Sequence, residues 1–314
     1  MRALVAPDYV PLDQVAVTEH PTPTPGPDQV LVKVEAAALN PLDLMLITGA
    51  AKESYPADHP LVVGMDAAGT VVEVGENVTR YSAGDPVLVF TGGGAGAVAE
   101  YTVASSGPLL ARRPAGLDSQ HAAAIPESGL TAVNLLRAVR PTADGRRECA
   151  GDRGDRRYRH VRRAARPRDR IPRDRHVDRG GRGVSAWPRC DDTVDYRRTD
   201  VVEEVLRLVP GGVDVVIDLV NSGDGLAGTA RAARPGGRLV SPLYGPADLG
   251  RDVESVYIGS FQAQPGELDD LAARAADGRL QVEIGARYPF ANAAQAVNDF
   301  ATQHIRGKVV VTFP

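Results

Sequence analysis

Cysteine is scarce: the 314 residues hold two, Cys149 and Cys190, too few for a disulfide framework. Aromatic residues make up 5% of the chain, with Trp187 the single tryptophan. No apolar run reaches the roughly 18 residues that a membrane-spanning helix needs, so no membrane partner is expected. The opening "MRALVAPDYVPLDQVAV" lacks the apolar core and small-residue cleavage site of a secretion signal, and the expected location is the cytoplasm. Excess positive charge is missing as well. The net charge is −4, which offers nothing to nucleic acid or to an acidic membrane surface. What is present is 43% apolar and 24% charged residues, enough for two domains with cores of their own.

The first third reads as short strands and turns. In "QVLVKVEAAAL" (Gln29–Leu39), Val30, Val32 and Val34 alternate with Leu31, Lys33 and Glu35, the period of a half-buried strand. "GTVVEVG" and "DPVLVF", within Asp66–Phe90, are two further strands, and together these predict a small barrel-like β domain. From Asp118 the pattern turns helical: "DSQHAAAIPESGLTAVNLLRAV", with Asp118 as the N-cap. After Asp191 helix and strand alternate. "DVVEEVLRLVPGG" is an amphipathic helix stopped by Pro210 and Gly211, and "VDVVIDLV" is a strand apolar on both faces. "GLAGTARAARPGG" then "GRLVSPLYG" repeat the helix-then-strand order, which predicts an α/β domain with a parallel sheet. "GKVVVTF" (Gly307–Phe313) adds a last strand.

That sheet lacks its beginning. Between Asp144 and Cys190, where a first strand, glycine turn and helix should lie, stand 16 of the chain's 36 basic Lys and Arg residues, all of them arginine.

Several segments carry a family signature: "ALNPLDLMLITG", "HPLVVGMDAAGTVVEVGENVTRYSAGDPV", "GAVAEYTVA", "AAAIPESGLTA", "GVDVVIDLV", "PGGRLVS" and "RGKVVV", in this order. Together they resemble the zinc-free, quinone-oxidoreductase-like branch of the medium-chain dehydrogenases/reductases, over roughly residues 1–140 and 191–314. The resemblance implies a GroES-like catalytic domain, residues 1–122 plus 287–314. It also implies an inserted Rossmann domain with a doubly wound parallel sheet, residues 123–286. It further implies NADPH as cofactor, a quinone or activated enone or alkenal as small-molecule substrate, and a homodimer. Pyrophosphate in such a domain rests on backbone N–H groups of a glycine turn at a helix N-terminus.

As written, no Gly-x-Gly-x-x-Gly follows a strand in the arginine-rich window. Arg153, Arg156, Arg157 and Arg159 stand in its place. A central strand that buries unpartnered guanidinium groups loses several kcal/mol for each. Pro167 and Pro172 would break the helix that should follow. The contradiction disappears if the window is the right DNA read one base out of register. Codons chosen for Gly145–Asp178 and read one base later can encode a buried strand, a glycine-rich turn, an amphipathic helix and a second strand, with the frame returning at Cys190–Asp191. Codon degeneracy means that the written residues permit this motif without proving it. A genuine arginine-rich loop is the plain alternative, although a long structureless loop inside a compact domain is unusual and leaves the strand unreplaced. An arginine-rich nucleic-acid arm is the other, but Asp152, Asp155, Asp169, Asp174 and Asp178 interleave the arginines, and no nucleic-acid partner is expected. If the written window is literal, the dinucleotide loop is absent and the chain is an inactive product or a non-enzymatic binding protein.

Zinc-dependent relatives carry a cysteine ligand where Asn40 stands and a histidine where Met65 stands; neither replacement is a good zinc ligand, so no metal is expected. By resemblance, Asn40 and Asp43 are the catalytic pair, with Asn40 also touching the cofactor. As plain structure, Asn-Pro is a loop starter. Thr131 resembles the residue beside the nicotinamide, and is equally an ordinary helix residue. Tyr196 resembles the tyrosine that packs on adenine, with Arg197 and Arg198 beside it. Leu219 and Val220 end one strand, and Tyr244 and Gly245 the next, where dinucleotides lie in doubly wound sheets. Phe261 is a candidate for the nicotinamide pocket. Lys308 gains a charge partner if an anionic cofactor lies near, and reads equally as an exposed edge lysine.

Overall fold

In this computed structural model the described residues are 1–92, 94–139, 149–151, 158–162, 192–196, 198–259 and 262–314. The first run of elements is β1 (Arg2–Ala6), β2 (Ala16–Glu19), β3 (Gln29–Leu39), α1 (Pro41–Thr48), β4 (Leu61–Val62), β5 (Asp66–Val74), β6 (Pro86–Phe90), β7 (Tyr101–Ser105), β8 (Leu110–Arg112), α2 (Ser119–Ala123) and α3 (Pro126–Ala138). The strand expected from alternation over Gln29–Leu39 is β3, and the two expected within Asp66–Phe90 are β5 and β6. Val30, Val32 and Val34 are buried as the alternation requires, but so are Leu31 and all of Ala36 to Leu39. The second half of β3 is covered on both faces because α2 lies against β3 and β5, and the small alanines let it approach.

The helix expected from Asp118 onward is two helices. Asp118 does cap the first: its Oδ1 accepts the His121 N–H at 2.9 Å. Pro126 then ends any continuation, because it has no N–H to donate and its ring disfavours α geometry in the residue before it. It serves instead as the opening residue of α3.

The middle of the chain forms β9 (Cys149–Gly151), β10 (Tyr158–Arg162), β11 (Asp192–Asp195), α4 (Val201–Leu208), β12 (Val213–Ile217), α5 (Asp224–Ala230), β13 (Ala233–Ser241) and β14 (Glu254–Tyr257). They make one sheet in the order β11-β10-β9-β12-β13-β14. β9, β12, β13 and β14 run parallel. β10 is antiparallel to both of its neighbours, so the sheet is mixed where a purely parallel one was expected. The spacing accounts for this. Only residues 152–157 separate β9 from β10, and a parallel crossover takes a dozen residues or more. The apolar run of β12 is covered on both faces as expected. Val216 and Leu239 pack with α4 residues Val202 and Val205. Val215 and Val240, pointing the other way, pack with Leu135 and Val139 from the end of α3 and just beyond it. β13 begins earlier than its pattern suggested: "PGG" lies inside the strand as an irregularity, not in a helix stop.

The chain closes with α6 (Glu267–Ala276), β15 (Ile284–Pro289), α7 (Ala293–Thr302) and β16 (Lys308–Thr312). The seven-stranded sheet that they complete has the order β15-β16-β3-β5-β6-β8, with β7 also paired to β3. Contacts divide the chain into Met1–Ala132 with Gln262–Pro314, and Val133–Phe261. α6 goes with the first unit because Arg80 grips Asp269 through both carboxylate oxygens, at 2.9 and 2.8 Å.

Candidate functional site

The start of α1 places two candidate residues. Pro41 follows Asn40 at a helix position where a missing N–H costs nothing. One turn on, Asp43 reaches back, and its Oδ2 accepts the Asn40 N–H at 2.7 Å. Asn40 is therefore a helix starter, as its sequence context suggests. Its side chain has a second task. The amide Nδ2 donates to Asp66 Oδ2 at 3.0 Å, and its Oδ1 accepts from Lys308 Nζ.

Asp66, the first residue of β5, is completely buried. Besides Asn40, it accepts the Glu127 backbone N–H at 2.9 Å and the Lys308 ammonium at 3.3 Å. The Glu127 N–H lies in the first turn of α3, where unpaired donors favour an anion. Lys308 opens β16. The register that sets Val309 opposite Leu39 brings Lys308 beside Asn40. Its three donors meet Asn40 Oδ1, Asp66 Oδ2 and, at 3.4 Å, Ser128 Oγ. Lys308 is thus no exposed edge lysine: its side chain is 15% exposed. Asn40, Asp43, Asp66, Glu127, Ser128 and Lys308 all belong to the first unit.

One cation shares this cluster with three carboxyl groups. Burial pushes Asp43 from its ordinary value near 3.8 to about 8; the Asn40 N–H pulls the other way and the Asp66 charge adds to the rise. Burial also raises Asp66, against the pull of Lys308 and the Asn40 amide, and raises Glu127, again against Lys308. Asp43 Oδ1 is buried without a hydrogen-bond partner, and Asp43 lines a small cavity with Leu46, Val63, Met65 and Gly96. Among the described residues no group of three His, Cys, Asp or Glu is placed to hold a metal ion. A zinc ion does not fit beside Asn40 either, because the Lys308 ammonium already sits against the oxygens that a cation would take.

In the second unit, Leu219 and Val220 follow β12, and Tyr244 and Gly245 follow β13, at the carboxyl ends of neighbouring parallel strands. Val220 is 52% and Tyr244 57% exposed, which is high for large apolar side chains. Leu219 packs inward. The loop after β12 is shaped by Asp218, whose Oδ1 accepts the N–H groups of Val220 and Asn221, both at 2.9 Å. The Gly223 N–H donates to the Tyr244 carbonyl at 2.8 Å and ties the two loops together. A side chain at Gly245 would meet the Leu226 side chain at 2.8 Å, the Tyr257 hydroxyl at 3.0 Å and the Gly223 carbonyl at 3.1 Å, so that side of Gly245 is packed against the protein. Tyr196 forms the turn after β11, at the same end of the sheet. Thr131 is half-buried on α3. Phe261, Arg197 and most of the 144–190 window lie outside the described residues.

Sequence reading placed Asn40, Asp43 and Lys308 in the site without showing that they touch. It missed Asp66, Glu127 and Ser128. The available signal was Asp66 itself, a charged residue opening the otherwise apolar run "DAAGTVVEV".

Residues 26–113 match the alcohol dehydrogenase GroES-like domain, and residues 189–311 match the zinc-binding dehydrogenase family. The quinone oxidoreductase of Pseudomonas aeruginosa is 30% identical over 310 residues, covering 91% of this chain and 92% of that protein. The chain belongs to the quinone-oxidoreductase-like family of medium-chain dehydrogenases/reductases. Its architecture is the one expected, a GroES-like domain plus a Rossmann-type domain, with the mixed sheet described above. The chloroplast envelope quinone oxidoreductase homolog of Arabidopsis thaliana is 40% identical over 117 residues; the match spans 37% of this chain and 35% of that relative's length. A mycobacterial protein solved in complex with NADPH superposes with a TM-score of 0.73 at 25% identity, covering 99% of this chain and 100% of that one. Among the described residues no helix is long and apolar enough to cross a membrane.

Proposed function

We propose that this chain is an NADPH-dependent oxidoreductase that passes a hydride to a quinone or to an activated enone or alkenal, without a metal. The observation that carries the reading is the pair of exposed apolar residues, Val220 and Tyr244, at the carboxyl ends of adjacent parallel strands, where dinucleotides lie in doubly wound sheets. Family membership and the NADPH-bound mycobacterial neighbour support the same cofactor. Val220, Tyr244 and Gly245 would hold the dinucleotide's flat groups, and Tyr196, with exposed Arg198 near it, would take the adenosine end and the 2′-phosphate. Bound NADPH supplies the hydride. Thr131 and Phe261 are proposed for the nicotinamide end, and Asn40 and Asp43 for orienting the reacting groups. The proposed assembly is a homodimer and the proposed location the cytoplasm.

One observation favours a second reading, an inactive product or non-enzymatic binding protein. β10, the next strand described after β9, pairs antiparallel with it, so the two do not form the parallel strand–helix–strand unit that receives a pyrophosphate at a helix N-terminus.

Two measurements separate these readings. Mixed with NADPH and a panel of quinone, enone and alkenal acceptors, the protein is expected to consume NADPH with at least one of them; no consumption with any acceptor overturns the proposal. Intact-mass measurement tests the register reading directly. That reading requires a mass that departs from the one computed for the written sequence, nominally 33.2 kDa. Agreement with the computed mass, together with no NADPH consumption, establishes the second reading.

A further inference from the structure

Reducing a quinone or enone takes a proton as well as a hydride. We propose that Lys308 and Ser128 form a proton relay, in which the Ser128 hydroxyl delivers the proton that completes reduction and Lys308 refills it; this rests on the reductase reading above.

The relay follows from where the Lys308 donors point. Two of their three acceptors, on Asn40 and Asp66, are buried side chains. The third, Ser128 Oγ, belongs to an exposed residue and is the member of this trio open to solvent. A hydroxyl accepts through its lone pairs while donating its own proton. Ser128 Oγ receives from Lys308 at 3.4 Å and donates to Glu127 Oε2 at 3.3 Å, so its proton is held loosely and can turn outward. Both distances are long, as catalytic hydrogen bonds often are before substrate tightens them. Asn40 and Asp66 fix the ammonium and are positioning residues.

The balance closes. The electron pair arrives with the hydride and leaves an enolate or phenolate oxygen on the substrate. The Ser128 O–H bond breaks as a new O–H bond forms on that oxygen. A Lys308 N–H bond then breaks to restore the hydroxyl, and the neutral amine regains its proton from water.

Two variants and two acceptors test the relay. Ser128→Ala removes an exposed hydroxyl at little structural risk. Lys308→Arg keeps the positive charge but cannot release a proton. The acceptors are a benzoquinone, which needs the proton, and an N-methylacridinium ion, which takes hydride alone. Each variant is expected to lose quinone reduction in preference to acridinium reduction by about 10²-fold. Equal loss with both acceptors assigns Lys308 to cofactor binding and overturns the relay. If the unsubstituted protein reduces neither acceptor, the reductase reading fails and the relay fails with it. A second readout needs no cofactor. The chain has three lysines, and Lys33 and Lys52 are exposed, so the Lys308 ammonium is assignable by heteronuclear NMR. Its hydrogen exchange with water is expected to slow in Ser128→Ala; unchanged exchange contradicts the relay.

Discussion

Asp66→Ala is expected to lower the free energy of unfolding by about 3–5 kcal/mol, the cost of removing one partner from a buried ion pair. The substitution strips a carboxylate that three donors share: the Asn40 amide, the Glu127 N–H and the Lys308 ammonium. Lys308 is then left charged, largely out of water and without its ionic partner. Denaturant unfolding of Asp66→Ala, Lys308→Met and the double variant measures the effect. The double variant should be markedly less destabilised than the two single losses summed, because the second change relieves the charge that the first abandoned. Additive losses would show that Asp66 and Lys308 do not act as a pair.

Asp43 produces the second large effect, and it depends on pH. Its carboxyl titrates at about 8 in the folded chain, against an ordinary value near 3.8. Between those values the folded state binds a proton that the unfolded state has released. Stability from this group is therefore complete below about pH 4 and is lost as pH rises through about 8. Asp66 and Glu127, also raised by burial, contribute in the same direction. Asp43→Asn keeps an oxygen to accept the Asn40 N–H and removes the titration. Relative to the unsubstituted protein, the variant is expected to gain stability progressively from pH 5 to pH 9, reaching several kcal/mol. Unfolding curves across that range check it. Parallel stability–pH profiles for the two proteins would show that Asp43 is ionised in the fold throughout.

Much of the architecture was legible because it rests on local patterns. Alternation located β3, strand-like runs located β5 and β6, and the apolar run located β12, each from residues adjacent in the chain. Legibility failed where a single residue overrode its neighbours. Pro126 split one apparent helix into two, and "PGG" proved to be an irregularity within β13. The polar cluster was only partly legible for a different reason. Asp66 meets partners 26, 61 and 242 residues away in the chain, and no local pattern reports contacts that span such distances. The antiparallel turn-back at β10 was not legible either. The window's composition announced that a parallel strand and glycine turn were missing, but not which strand direction would replace them.

The most direct test of the central claim is thermal unfolding of the purified protein with and without saturating NADPH. A chain that holds this cofactor in its folded state gains about 2.7 kcal/mol at a hundredfold excess over Kd, seen as a clear rise in Tm. An unchanged Tm at every NADPH concentration would contradict the account.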